Sequence, residues 1–134
     1  MSDVYEEMLK WTPSEKAGYI RGFVDGEGWP AFYYDRVTRG HHKRGYISNR
    51  AVFISNTNKK LLLTIQKLLE MLGVKSRLYL DAKAGTRRNT KDSWKVAILG
   101  QENLTRFSNT IGFGDADKMQ ILQNMLSSYR KHGS

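Results

Sequence analysis

A single α+β domain spanning residues 1–134 is the class this sequence predicts, with elements in the order αββαββα and one further helix at the end. Three observations predict it: a capped, proline-started helix near the N-terminus, two pairs of alternating strand-like segments, and a leucine-striped helix between them that ends at glycine. With 134 residues, 40% of them hydrophobic, the chain can bury one core and is too short for two.

The first helix starts at Thr12-Pro13-Ser14-Glu15. Thr12 can cap it, Pro13 suits the first helical position, and Glu15 completes a capping box, so the pattern predicts a helix from Pro13 to about Asp25. Trp29 to Arg39 and Tyr46 to Asn56 are rich in aromatic and β-branched residues and read as a hairpin, with His41, His42, Lys43 and Arg44 at its tip. Over residues 58–72, Leu61, Leu62, Ile65, Leu68, Leu69 and Leu72 share one helical stripe, and Gly73 stands where a C-terminal cap belongs. Val74 to Asp81 alternates: Val74, Ser76, Leu78 and Leu80 take one face, Lys75, Arg77, Tyr79 and Asp81 the other. Trp94, Val96 and Ile98 repeat that alternation against Ser93, Lys95 and Ala97, which gives a second hairpin across the polar residues 82–91. Glu102 to Ile111 and Asp115 to Arg130 then carry helical spacing on either side of Gly112-Phe113-Gly114.

Charge narrows the function. Twenty-two Lys and Arg stand against thirteen Asp and Glu, a net +9. Residues 36–95 hold fifteen of those basic residues and only the acids Glu70, Asp81 and Asp92, whereas residues 1–35 are net acidic. Such segregation implies a positive face for a polyanion, nucleic acid first, with an acidic centre beside it. The absence of cysteine excludes a disulfide framework, a thiolate metal site and a cysteine nucleophile. No signal-peptide core occupies the first thirty residues and the longest aliphatic run is Leu61-Leu62-Leu63, so the expectation is a soluble intracellular protein, cytoplasmic or nucleoid-associated, neither secreted nor in a membrane.

Gly18, Gly22 and Gly26 recur every four residues on the first helix and leave one of its faces without side chains. Each interior glycine costs about 1 kcal/mol relative to alanine, which calls for a close helix partner, either a second copy of the chain or another helix of the same chain. Asp25-Gly26-Glu27-Gly28 places two carboxylates at the end of that helix. They are either hard oxygen ligands of the kind Mg²⁺ takes or solvated loop acids. His41 and His42, flanked by Lys43 and Arg44, read as surface or phosphate-contacting groups. Gly112-Phe113-Gly114 lacks a phosphate-loop fingerprint and reads as a connection.

Ile20-Arg21-Gly22-Phe23-Val24-Asp25-Gly26-Glu27-Gly28 resembles the signature of the LAGLIDADG homing endonucleases, and the element order agrees over roughly residues 12–130. The signature occurs once. The resemblance therefore implies a homodimer with one signature helix and one saddle-shaped antiparallel sheet per subunit, and a site-specific, intron- or intein-encoded endonuclease that cuts both strands of a long, near-palindromic DNA site with Mg²⁺ or another divalent cation. It implies Glu27 as the catalytic, metal-binding acid, with the Gly26 carbonyl beside it, Asp25 as a structural acid, and Gly18, Gly22 and Gly26 as the dimer interface. Glu27 departs from the commoner Asp by one methylene, and Arg21 stands in place of Ala, about 100° from Gly22. Asn56 falls where the family often positions the attacking water, although Asn also suits a turn or cap before a helix. Lys118 resembles an active-site lysine of some members and reads equally as an ordinary first-turn lysine; Lys95 is the second candidate.

For DNA contact, Lys75, Arg77, Tyr79 and Lys95 share the polar face of the second hairpin, and Arg there can pair with guanine. In the first hairpin, Tyr33 and Asp35 face DNA if Phe32 is core, and Arg36 does so in the opposite register. Arg39, Lys43, Arg44, Arg87 and Arg88, on tips and connections, are suited to phosphates. The alternative function is a non-cleaving nucleic-acid-binding module of the same fold, an RNA maturase or a transcription factor; retention of the Glu27 carboxylate favours the enzyme.

Overall fold

A computed structural model of the protein describes residues 4–37, 44–82 and 92–131. Its elements are α1 (Val4–Leu9), α2 (Pro13–Glu27), β1 (Gly28–Val37), β2 (Arg44–Asn56), α3 (Lys59–Met71), β3 (Arg77–Ala82), β4 (Ser93–Leu99), α4 (Gln101–Thr110) and α5 (Ala116–Lys131). The order is the expected one with α1 added in front. Six residues give no helical period to read, and α1 owes its place to tertiary contacts: Met8 is buried, and the Tyr5 hydroxyl accepts from Asn58 Nδ2 at 3.2 Å.

The start of α2 follows its sequence. Thr12 Oγ1 accepts from the Glu15 N–H at 3.2 Å, and Glu15 Oε1 accepts from the Thr12 N–H at 2.9 Å. The Thr12 backbone and side-chain hydrogen bonds hold the Glu15 carboxyl below its ordinary pKa. Its end lies two residues beyond the expected Asp25. The glycines of Asp25-Gly26-Glu27-Gly28 signal a break, yet the Gly28 N–H still donates to the Val24 carbonyl, so Glu27 is the last helical residue.

The four strands form one antiparallel sheet in the order β1-β2-β4-β3, two hairpins joined along β2 and β4. Each hairpin has an irregularity. Ser48 is extra between the pairs Tyr33–Asn49 and Tyr34–Ile47, and Asp81 is extra between Leu80–Trp94 and Ala82–Ser93. Strand β3 begins at Arg77, not at Val74. The chain leaves α3 through Gly73, whose φ of +86° suits glycine, and the Val74 N–H donates to the Leu69 carbonyl. The Lys75 N–H goes to Asn103 Oδ1, so neither residue has a donor left for the ladder.

Helices cover one face of the sheet. Ile20 and Val24 of α2, Leu62, Ile65, Leu68 and Leu69 of α3, Leu104 and Phe107 of α4, and Leu122 and Met125 of α5 join Val52, Ile54, Val96 and Ile98 in the core. Burial of each such aliphatic side chain contributes about 1.5–3 kcal/mol. Strand alternation leaves Trp29, Tyr33, Phe53, Ser55, Arg77, Tyr79 and Lys95 on the opposite, open face. Among the described residues no helix is long and apolar enough to cross a membrane.

Candidate nucleic-acid interface and metal site

The last turn of α2 holds two carboxylates with different surroundings. Residues two apart on a helix point about 200° from one another, so Asp25 and Glu27 cannot share an environment. Asp25 Oδ1 accepts from the N–H groups of Gly114 and Asp115 at 2.9 and 3.1 Å, which ties α2 to the α4–α5 connection. Arg21 adds a second tie, its Nε donating to the Ile111 carbonyl at 2.7 Å. Gly114 is needed for close approach: a Cβ there would stand 2.5 Å from Asp25 Oδ2. Gly112-Phe113-Gly114 is therefore a connection with a structural duty, and Phe113 anchors it edge-on to Phe107 in the core.

Lys118 reaches the same turn from α5. Its ammonium donates to the carbonyls of Asp25, Gly28 and Val24 at 2.7, 2.8 and 3.4 Å. A cation at a helix C-terminus opposes the partial negative charge of the exposed carbonyls. Three protons meet three acceptors, and the Gly26 carbonyl is not one of them.

Glu27 itself is exposed, and among the described residues its carboxylate has no hydrogen-bond or ion-pair partner. Gly18, Gly22 and Gly26 are exposed too, and a Cβ built on any of them meets nothing within 4 Å. Packing of the glycine stripe on a helix of the same chain, one of the two expectations, is thereby excluded among the described residues. Asn56 closes β2 at the end of the sheet where Glu27 enters it, since Gly28 pairs with Ile54. Its Oδ1 accepts from the Asn58 N–H at 2.8 Å, and Asn58 is the cap of α3, so Asn56 forms the turn before that cap. Glu27, Lys118 and Asn56 thus gather at one end of the sheet, with no hydrogen bond among the three in the described residues.

On the open face, Arg77 is exposed and belongs to the same cross-strand row as Trp29, Phe53 and Ala97. Tyr79 and Tyr33 are exposed as well, which settles the parity at Tyr33, while Phe32 packs on the core. Lys75 is exposed and precedes the strand. Lys95 has close partners: Asp81 Oδ1 lies 3.1 Å from its Nζ, and the ring centres of Phe53, Trp29 and Tyr79 lie at 4.4, 5.5 and 5.9 Å. The backbones of Asp35, Arg36 and Arg44 are paired in β1 and β2, but their side chains, and all of His41, His42, Arg39, Lys43, Arg87 and Arg88, lie outside the described residues.

Sequence reasoning missed the grouping of Asp81, Trp29 and Phe53 around Lys95. Alternation put Asp81 and Tyr79 on one polar face, but the neighbours of Lys95 depend on the register of three strands. The oxygen donors at the end of α2, the Glu27 carboxylate and the Gly26 carbonyl, are of the hard type that suits Mg²⁺. Among the described residues no three His, Asp or Glu side chains converge on one point.

Known proteins resemble the chain along nearly its whole length. It is 25% identical over 140 residues to an uncharacterized protein, MJ0398, of Methanocaldococcus jannaschii, covering 98% of this chain and 45% of that one. It is 29% identical over 85 residues to the replicative DNA helicase DnaB of a Synechocystis species, covering 63% of this chain and 9% of the helicase. The chain thus spans less than half the length of these curated relatives. Among solved structures, the LAGLIDADG meganuclease I-CpaMI bound to uncleaved DNA is similar with a TM-score of 0.62 and 16% identity, over 92% of this chain and 40% of that one. The group I intron-encoded homing endonuclease I-CeuI, complexed with DNA, gives 0.62 and 12%, over 97% and 66%. The homing endonuclease I-CvuI in complex with a DNA target gives 0.59 and 16%, over 91% and 70%. At these identities the likeness establishes a shared fold, the homing-endonuclease fold. The family profile of the LAGLIDADG-like domain matches residues 14–112, from the first turn of α2 through the end of α4, and by that match the chain belongs to the LAGLIDADG family.

Proposed function

We propose that the protein is a site-specific double-strand DNA endonuclease that acts inside the cell as a symmetric homodimer with Mg²⁺ or a related divalent cation. The observation that carries this reading is the end of α2: an exposed, unpartnered Glu27 carboxylate next to a helix face bare of side chains from Gly18 to Gly26. Two copies of α2 meeting along that face bring two Glu27 side chains together at the two-fold axis, and with them the metal donors that one subunit lacks. A bound ion would stabilise the charge that develops on the phosphate and leaving oxygen. The chain's own residues hold the parts in place. Asp25, Arg21 and Lys118 fasten the last turn of α2 to α5 and the connection before it, so Glu27 is presented from a fixed backbone. Asn56 borders the site. The basic face, with Arg77, Tyr79, Tyr33 and Lys75, meets the duplex, and Arg39, Lys43, Arg44, Arg87 and Arg88 serve its phosphates. Water is the nucleophile, attacking phosphorus as the bond to O3′ breaks, which leaves 5′-phosphate and 3′-hydroxyl ends.

One observation favours a second reading, binding without cleavage to an intron RNA or a regulatory DNA site: the Lys118 ammonium is spent on three carbonyls. Where the reading frame lies in an intron or intein, the joined flanks of its gene propose the target. A plasmid carrying that junction is expected to be cut by the wild type with Mg²⁺ and left intact without it. Glu27→Gln is expected to lose cleavage while its DNA affinity stays equal or rises, because it removes an acid from beside phosphates. Full cleavage by Glu27→Gln overturns the metal-site reading, and tight binding without cleavage by the wild type establishes the second one.

A further inference from the structure

Among the described residues, the open face of the sheet, basic in its sequence, holds a carboxylate fixed against an ammonium. Lys95 Nζ lies 3.1 Å from Asp81 Oδ1, with the lysine side chain 17% exposed and the aspartate 34%. The ring of Phe53 lies 4.4 Å from the same ammonium, with Trp29 and Tyr79 further out, so aromatic faces and a carboxylate share its charge. To reach a phosphate, Lys95 would have to leave the ion pair and the rings at once. Asp81 has the opposite disposition. It lies on the face that alternation from Tyr79 gives it, and as the extra residue between the pairs Leu80–Trp94 and Ala82–Ser93 it has no partner directly opposite on β4. Its exposure leaves acceptor capacity toward the solvent side of the sheet.

Electrostatics decides what such an acceptor can meet. An isolated carboxylate is repelled by a duplex, but one paired with Lys95 carries little net charge into the groove. In the major groove guanine presents acceptors only and adenine sets its N6 amine beside the N7 acceptor, which repels a carboxylate, whereas cytosine offers its N4 amino group with no acceptor beside it on the same base, the donor with which Asp and Glu pair. We propose that Asp81 is a specificity-determining residue that accepts a hydrogen bond from the N4 amine of a cytosine, and that Lys95 is its positioning residue and not itself a DNA contact. The inference rests on the reading of the open face as a DNA surface, and it replaces the expectation that Lys95 touches DNA.

The test is selection from a pool of randomised duplexes by the full chain in EDTA, so that binding is read without cutting, for wild type, Asp81→Asn and Lys95→Met. Wild type is expected to enrich a two-fold symmetric motif. Asp81→Asn should lower the preference for cytosine at one symmetric pair of positions by about tenfold or more and leave the other positions unchanged. Lys95→Met, which keeps an unbranched apolar chain among the rings, should weaken preference at that same pair. In the double variant Asp81→Asn/Lys95→Met, which keeps the pair's net charge at zero, the salt slope on random duplex should stay at the wild-type value, where loss of a phosphate contact would reduce it by about 1. A motif unchanged at every position in both single variants, a sensitive position holding a base other than cytosine, or a reduced slope in Asp81→Asn/Lys95→Met overturns this assignment alone. A wild type that enriches no motif overturns the DNA reading of the sheet together with it.

Discussion

Helices α2 and α3 are of similar length, and both begin with a side-chain cap, yet they are built for different numbers of partners. In α3 the large apolar residues converge: Leu62, Ile65, Leu68 and Leu69 are all fully buried against the sheet, and the rest of its surface is largely polar. In α2 Ala17, Ile20 and Val24 are buried in the subunit's own apolar core and Tyr19 and Phe23 pack partly buried against it, while Gly18, Gly22 and Gly26 leave another face open with no atom of the described residues in reach of a Cβ. A helix that spends three glycines without gaining a neighbour inside its own chain is less stable in isolation than its length allows. In the proposed dimer the gain comes from the partner's copy of the same face, whereas α3 already buries its leucine stripe within the subunit and exposes only Leu63 and Met71 among its large apolar residues.

The strongest way to break this contrast is Gly22→Leu. Since no atom of the described residues lies within 4 Å of a Cβ there, the folded monomer is expected to keep or slightly raise its denaturation midpoint, because leucine favours helix over glycine. Across a two-fold axis the added side chains meet, and with overpacking at about 1–3 kcal/mol per copy, association should weaken on the order of a hundredfold. Sedimentation velocity and urea denaturation on one sample read both effects, and a destabilised monomer or an unaffected dimer refutes the contrast. The mirror-image change, Leu68→Ala in α3, should cost about 2–5 kcal/mol in urea denaturation at protein concentrations where no dimer forms.

Asp25→Ala comes next. It removes the acceptor for two N–H groups of the α4–α5 connection, an expected loss of about 1–3 kcal/mol, visible as faster amide exchange at Gly114 and Asp115. The smallest effect separates the two caps. Thr12→Ala and Asn58→Ala should each cost about 1 kcal/mol near neutral pH. Glu15 has its folded pKa depressed, so its part of the α2 box is present above the unfolded value of 4.5 and disappears as pH falls through the folded one. The cost of Thr12→Ala should therefore shrink in acid while that of Asn58→Ala, a neutral cap, should not. Equal pH profiles for the two variants remove the reciprocal box as the cause.

Sequence reading succeeded where the physics is local. The capping box at Thr12, the leucine stripe of α3 and the alternation in the second hairpin each depend on residues within a few positions of one another, and the elements stand where those patterns put them. It failed where a donor was claimed from afar. Val74 and Lys75 alternate like strand residues, but their N–H groups go to Leu69 and Asn103, so β3 starts later. The signature singled out both carboxylates at the end of α2, and the resemblance gave Asp25 a structural part; that the N–H groups of Gly114 and Asp115 are what it accepts from depends on a connection far along the chain and could not be read locally. The setting of Lys95 was legible only in part: alternation put Tyr79 on its face, but Trp29 and Phe53 come from the other hairpin and the ion pair with Asp81 depends on the register of β3 against β4.

The strand order sets a sequence of events in folding. Each hairpin pairs neighbouring stretches of chain, but the join of β2 to β4 brings Ala51 opposite Leu99 and Asn56 opposite Trp94, with α3 and β3 in the intervening loop. Closing that loop costs entropy before it returns any contact, so the central pairing is the late step and the two outer pairs can form before it. Until they meet, β2 and β4 are the inner edges of their hairpins, so topology makes them the strands most open to capture by an edge from another chain.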